Sequence, residues 1–174
     1  MHSLLYSGAQ EATEEGGISA RLRPEKILSH IHHYKTGVLF QCTWAIPGVF
    51  EDTVSSTALA VQEALYRIGM GCQILDDMVD LNTDRRDNHH NYVLSTIFHE
   101  ESPYVWRQLE SMDPSRSVND FYREFPELHA RMKAKALLSL EGGLHELFFA
   151  HHDFLVQPAI TFIAERIGVQ MATD

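Results

Sequence analysis

The sequence predicts an all-α fold, because its apolar residues recur with the spacing of helices and not with that of strands. No segment shows the alternation of a half-buried strand, and no hairpin turn is evident. Hydrophobic residues make up 44% of the 174 residues and charged residues 22%, which is ordinary for a globular protein. No repeat, linker or low-complexity tract divides the chain, so we expect one helical domain over residues 1–174.

The first part of the chain predicts two helices. One spans about residues 4–15 and ends at Gly16-Gly17. Pro24 suits the first turn of the next helix, and Pro47-Gly48 ends it. The apolar stripe of this second helix consists of Ile27, Ile31, Tyr34 and Val38.

A third and longest helix is predicted to begin at a cap formed by Asp52 or Thr53 and to reach at least Asp80. It is apolar on more than one side, as expected of a central buried helix. A polar hinge at residues 84–91 follows it, and residues 113–115 form a turn. The remaining helices are predicted over residues 92–99, 103–112, 126–151 and 158–168.

Acidic side chains recur at the end of the third helix. Asp76, Asp80 and Asp84 are four residues apart, so they lie one above another on a helix and form an acidic column. Asp77 flanks the column, and Gln73 lies one turn before it. Stacked carboxylates repel unless a cation neutralises them, and oxygen ligands of this kind suit Mg²⁺ shared with phosphate groups.

The alternative is a solvated helix face that binds nothing. Gly69 and Gly71 permit close backbone approach, and apolar residues flank the cluster on both sides. This context favours a site for a metal ion and a diphosphate.

Two segments together resemble a known family. The stretch 69–80, GMGCQILDDMVD, is similar to the second aspartate-rich motif of trans-isoprenyl diphosphate synthases. Upstream, the stretch 34–40, YKTGVLF, resembles the Lys-Thr segment that precedes that motif in the same family. Two motifs in the family's order are more specific than either alone. The resemblance covers about residues 1–100, and residues 101–174 would add C-terminal helices.

The resemblance implies a helical bundle of the isoprenoid synthase type and Mg²⁺-dependent handling of a prenyl diphosphate. In the family's reaction an allylic diphosphate ionises, the double bond of a second isoprenoid attacks the resulting carbocation, and a proton is lost. Lys35 would contact the diphosphate, while Thr36 and Gln73 would support the reacting allylic region. The predicted metal ligands are Asp76, Asp77, Asp80 and Asp84. The resemblance also implies an apolar cavity, whose walls would be Leu39, Phe40, Leu65 and Cys72, although these residues could equally be plain core.

The segment after the cluster departs from the family, which commonly has a Gly-Lys loop there. Arg85 and Arg86 could replace that lysine as diphosphate ligands, because guanidinium groups suit phosphate oxygens. Alternatively they are solvated charges at a helix end. The acidic column beside arginines also resembles the second metal site of class I terpene cyclases.

The family pattern also has a first aspartate-rich cluster, on a helix that faces the second one. The segments that resemble the family here belong to the second half of the full fold. We therefore expect a prenyltransferase completed by a homo- or hetero-oligomeric partner that supplies that cluster. The alternatives are a non-catalytic subunit that regulates a prenyl synthase, and a protein similar to class I terpene cyclases.

Charge and cysteine content limit the setting of the protein. The net charge of −10 argues against a nucleic-acid partner, because phosphate binding there requires a basic surface. No apolar run approaches the ~20 residues of a membrane span. Cys42 and Cys72 both lie in apolar helical segments, which favours a reducing cytoplasmic location over a disulfide scaffold.

Overall fold

A computed structural model describes residues 5, 9, 17–44, 55–113, 115–148 and 150–171. Within these ranges every regular element is helical, which confirms the predicted fold class. Three consecutive segments, Pro24–Lys26, Ile27–Gly37 and Val38–Cys42, form helix α1. The other elements are α2 (Ser56–Val79), α3 (Leu81–Asp87), α4 (Tyr92–Glu100), α5 (Pro103–Ser111), α6 (Val118–Glu124), α7 (Pro126–Phe148), a 3₁₀ helix (Ala150–Leu155) and α8 (Val156–Ile167).

Helix α1 begins at Pro24, as predicted, and its middle part is π-helical. The amide of Val38 donates to the carbonyl of His33, five residues earlier. The buried residues Ile27, His32 and Gly37 follow the same spacing of five. The wider turn therefore brings His32 onto the inner face, which a spacing of 3.6 residues did not predict. The predicted end at Pro47-Gly48 and most of the predicted helix at residues 4–15 lie outside the described residues.

Helix α2 starts later than predicted. Its cap is Ser55, whose hydroxyl oxygen accepts a hydrogen bond from the amide of Ala58 at 3.2 Å. The predicted caps, Asp52 and Thr53, lie outside the described residues. The helix ends at Val79, so Asp80 occupies the junction with α3.

The predicted polar hinge at residues 84–91 is wrong in its first half, because residues Leu81–Asp87 form α3. Asn88 ends this helix in the left-handed conformation, with φ of 57°. Its carbonyl accepts from the amide of Ile18 at 3.0 Å, and its side-chain amide donates to the carbonyl of Ile18 at 2.8 Å. Asn88 thus attaches the segment before α1 to the end of α3.

The second part of the chain departs from prediction in three places. Helix α6 was not predicted, since seven residues between two turns give too short a pattern. Helix α7 ends at Phe148, and a 3₁₀ helix replaces its predicted last residues. Helix α8 begins at Val156, and Gly168 ends it with φ of 109°.

Helix α2 is the central element, as predicted, and packs against α1, α7 and α8. Two glycines make these close approaches possible. A Cβ on Gly69 would lie 3.0 Å from the carbonyl oxygen of Thr36 in α1, and a Cβ on Gly71 would lie 2.8 Å from that of Ala136 in α7. The glycines therefore fix how near the acidic end of α2 lies to its neighbours.

Candidate functional site

The acidic column is continuous across the junction of two helices. The amide of Asp80 donates to the carbonyl of Asp76, and the amide of Asp84 donates to that of Asp80, both at 2.8 Å. These i to i−4 bonds keep the helical turn from α2 into α3, although Asp80 itself departs from helical geometry. The three carboxylates therefore occupy successive turns, as their spacing indicated.

The surroundings of the column disfavour its negative charge. Asp76 is exposed on one side, yet partial burial raises its pKa, and the charges of Asp80 and Asp77 raise it further. Burial also raises the pKa of Asp84 to about 6, although a hydrogen bond from Asn91 opposes the shift. A bound cation would relieve both effects.

Lys35 lies close enough to the column to act on both of its ends. Its positive charge opposes the rise in the pKa of Asp76 and that of Asp84. Within the described part of the chain, Lys35 makes no direct ion pair. The structure thus brings this predicted residue to the column and leaves its ammonium group able to meet an anionic ligand.

Gln73 links α1 to the column. Its side-chain oxygen accepts a hydrogen bond from the hydroxyl of Thr36. Its amide nitrogen donates to Asp76 Oδ2 at 3.2 Å and to Asp77 Oδ1 at 3.0 Å. The two residues that the sequence paired, Thr36 and Gln73, are therefore in contact, and Gln73 orients Asp76.

Asp77 does not share the surface of the column. It is only 3% exposed, and His32 Nε2 lies 2.9 Å from its Oδ2. The amide of Tyr92 and the side chain of Gln73 also donate to its carboxylate. Asp77 therefore ties α1, α2 and α4 together in the interior.

Asn91 binds the carboxylate of Asp84, at the end of the column away from the cavity. Its side-chain nitrogen donates to Asp84 Oδ2 and to the carbonyl of Asp77, both at 2.8 Å. Its side-chain oxygen caps α4 by accepting from the amide of Leu94 at 3.0 Å. His89 Nδ1 lies 3.7 Å from the other carboxylate oxygen of Asp84.

Arg21 is a cation near Asp84 that the sequence did not indicate. Burial lowers the pKa of Arg21, and the charge of Asp84 opposes that shift. Its guanidinium lies 5.4 Å from the ring centre of Trp106. More than sixty residues separate Arg21 from Asp84, so no local pattern could connect them.

The structure does not bring Arg85 and Arg86 to the column. Arg85 donates to the carbonyls of Glu110 and Met112, at 3.1 and 2.8 Å, where α5 ends. Arg86 is paired with the adjacent Asp87 at 2.7 Å. These contacts match the helix-end alternative, and we leave both arginines out of the site.

An open cavity of about 320 Å³ adjoins the column at Asp76. Helix α2 packs against both α1 and α8, so it forms the floor between them. Phe40 and Cys72 line the cavity as predicted, whereas the predicted Leu39 and Leu65 do not. The lining residues are Thr36, Phe40, Cys72, Gln73, Asp76, Phe162, Ile163, Arg166 and Ile167.

The sequence did not predict that α8 lines this cavity. Ile163, Arg166 and Ile167 follow the i, i+3, i+4 spacing of one helix face, and Phe162 lies one turn before Arg166. That spacing was visible in the sequence, but it did not show which other helices the face would meet.

The carboxylates of the column would supply only part of the ligand shell of Mg²⁺. Within the described ranges, no three His, Cys, Asp or Glu side chains converge on one point. Carboxylates on successive turns would each supply a ligand, and Mg²⁺ usually completes its shell with water and phosphate oxygens. The column could therefore hold Mg²⁺ only where water and phosphate oxygens supply most of its ligands.

The comparisons with known proteins gave one match. The family model described as polyprenyl synthetase matches residues 10–96, which is half of the chain and includes α1, α2, α3 and part of α4. No curated protein and no solved structure matches the chain significantly. None of the helices described here is both long and apolar enough to cross a membrane.

Proposed function

The chain belongs to the polyprenyl synthetase family, the family of prenyl chain elongation, and from this premise we propose that it binds a prenyl diphosphate with Mg²⁺ for prenyl transfer. One observation carries the proposal: Asp76 belongs both to the acidic column and to the lining of a mainly apolar cavity. A prenyl diphosphate has the matching form, with a charged head and an apolar tail.

Each side chain of the site has a role in the proposed reaction. Asp76, Asp80 and Asp84 would hold Mg²⁺, which would neutralise these carboxylates and the charge that develops on the leaving diphosphate. Lys35 donates to the departing diphosphate oxygens, and Gln73 keeps Asp76 in place. Thr36 and Phe40 would lie beside the reacting allylic carbons, and the apolar tail would displace water from the open cavity as it binds.

The proposal includes a partner. The family pattern places a first aspartate-rich cluster on a helix facing this one, and we propose that a homo- or hetero-oligomer supplies it. We place the protein in the cytoplasm, because Cys42 and Cys72 are both free thiols.

Calorimetry with Mg²⁺ and geranyl diphosphate tests the site. Wild type should bind the pair, and Asp76→Asn should abolish binding, since it removes the carboxylate shared by the column and the cavity. Asp120→Asn is the matched control, because this half-buried residue of α6 pairs with Arg123 at 3.0 Å and is not part of the cavity lining. Equal binding by wild type and Asp76→Asn would refute the assignment.

A second candidate is a non-catalytic subunit that binds a prenyl synthase and alters its product. It is favoured by the single acidic column in the described part of the chain, because the family pattern has two clusters. Turnover of geranyl diphosphate with isopentenyl diphosphate by the purified chain alone would exclude this candidate.

A further inference from the structure

The last helix places an unpaired cation on the cavity of the proposed site. Arg166 lies in the final turn of α8 and lines the same cavity as Asp76. No described residue forms an ion pair or hydrogen bond with its exposed guanidinium. Its charge is therefore available to a ligand in the cavity.

The position of Arg166 is fixed by the packing of α8. Val156, Ile160 and Ala164 are buried on the inner face of this helix. Beyond its end, a Cβ on Gly168 would be only 3.8 Å from Val79, so the last turn of α8 lies beside the last turn of α2. The backbone of Arg166 consequently lies beside the last turn of α2, where Asp76 lines the cavity.

A helix end alone does not account for this arginine. Basic residues are common in a last turn, where they stabilise the helix dipole. The dipole explains a cation at the end of α8 but not its place on the cavity side, next to Phe162 and Ile163.

A diphosphate ligand would explain why Arg166 lies on the cavity side of α8. A diphosphate has more oxygens than Mg²⁺ and Lys35 together would contact, and Lys35 approaches them from α1 on one side of the floor. A guanidinium group binds phosphate oxygens with two parallel hydrogen bonds. Arg166 would approach from α8 on the other side.

We propose that Arg166 binds the diphosphate group of the substrate, so that the anion is held between Lys35 of α1 and Arg166 of α8. This assignment rests on the proposed function of the site. It makes α8 part of the substrate-binding machinery, outside the residues that match the family.

Calorimetry with inorganic pyrophosphate at saturating Mg²⁺ tests the assignment. Arg166→Met should weaken pyrophosphate binding about tenfold or more, the loss typical of a charge-assisted hydrogen bond. Arg166→Lys should recover part of the affinity because the charge remains. Arg123→Met removes the same charge from an exposed site on α6 and should change nothing.

Titration with Mg²⁺ alone separates ligand binding from a structural role. Removing a cation near carboxylates should leave Mg²⁺ affinity unchanged or increase it, whereas local unfolding would decrease it. Circular dichroism melting of each variant verifies that the fold is retained.

The outcomes distinguish the two proposals. If wild type binds pyrophosphate, Asp76→Asn does not, and Arg166→Met binds as wild type does, the role of Arg166 is refuted and the site stands. Loss of Mg²⁺ binding together with pyrophosphate binding in Arg166→Met also refutes it. If wild type fails to bind pyrophosphate with Mg²⁺, the proposed function fails and the assignment of Arg166 falls with it.

Discussion

At the residue scale, two adjacent aspartates have different surroundings. Asp76 is exposed on the cavity side and accepts one hydrogen bond, from Gln73. Asp77 is buried and accepts from His32, Tyr92 and Gln73. A helix turns by ~100° per residue, so neighbouring carboxylates leave it in different directions. One can serve a ligand while the other serves the fold.

Substitution of each aspartate should separate these roles. Asp77→Asn places an amide group among three donors and should lower the free energy of unfolding by about 3 kcal/mol. Asp76→Asn should not lower it, because the raised pKa of Asp76 shows that its charge opposes folding. Urea denaturation measures both values. Equal destabilisation by the two substitutions would contradict the division of roles.

The raised pKa of Asp84 predicts that the stability of the metal-free protein depends on pH. Its pKa rises from 3.8 in the unfolded chain to about 6 in the folded one. Between these values the folded chain holds a proton that the unfolded chain has released, so the stability contributed by Asp84 falls as pH rises. Asp84→Asn should remove this component, measured as the difference in thermal unfolding from wild type between pH 4 and 7. Parallel pH profiles would exclude it.

At the element scale, the π-helical part of α1 determines which side chains meet α2. Ile31 and Thr36 are five residues apart, and so are Ile27 and His32. The first spacing brings the Thr36 hydroxyl to Gln73, and the second brings His32 to Asp77. Wide turns of this type are frequent at functional sites.

Gly69 should be sensitive to any side chain. A methyl group there would meet Phe40 Cγ at 2.9 Å and the carbonyl of Thr36 at 3.0 Å, forcing α1 away from α2. Gly69→Ala should cost about 1–3 kcal/mol and weaken pyrophosphate binding, because Thr36 would leave Gln73. Thermal unfolding and calorimetry measure the two effects.

Gly142 provides the control for that substitution. It lies within α7, where a methyl group would meet only Arg67 Nη1 at 3.6 Å. Gly142→Ala should stabilise the protein by about 0.5–1 kcal/mol through helix propensity alone. A similar gain in Gly69→Ala would show that the close approach has no importance.

The sequence predicted features that depend on neighbouring residues in the chain. The spacing of Asp76, Asp80 and Asp84 determines the column, because each interval is one helical turn. The partners of Arg85 and the position of Arg166 depend on which helices pack against each other, and the sequence pattern could not predict that packing. The burial of His32 required π-helical bonding, which a period of 3.6 does not detect.

At the scale of the whole molecule, ligand binding should stabilise the entire fold. The site combines residues of α1, α2, α3 and α8, and therefore binding should oppose global unfolding. With Mg²⁺ and pyrophosphate at about 100 times the dissociation constant, the expected gain is about 2.7 kcal/mol, or roughly 5–10 °C in Tm. Differential scanning fluorimetry measures the shift, and a chelator should reverse it. An unchanged Tm with both ligands would argue against a shared site.

The two sides of the cavity are far apart in order of synthesis. Asp76 and Lys35 leave the ribosome well before Arg166, about ninety residues after Asp76, and translation of that interval takes roughly 5–20 s. For these seconds the nascent carboxylates face the surrounding ions without α8 beside them. If the column binds Mg²⁺ as proposed, the ion would be able to reach these carboxylates before α8 is synthesised.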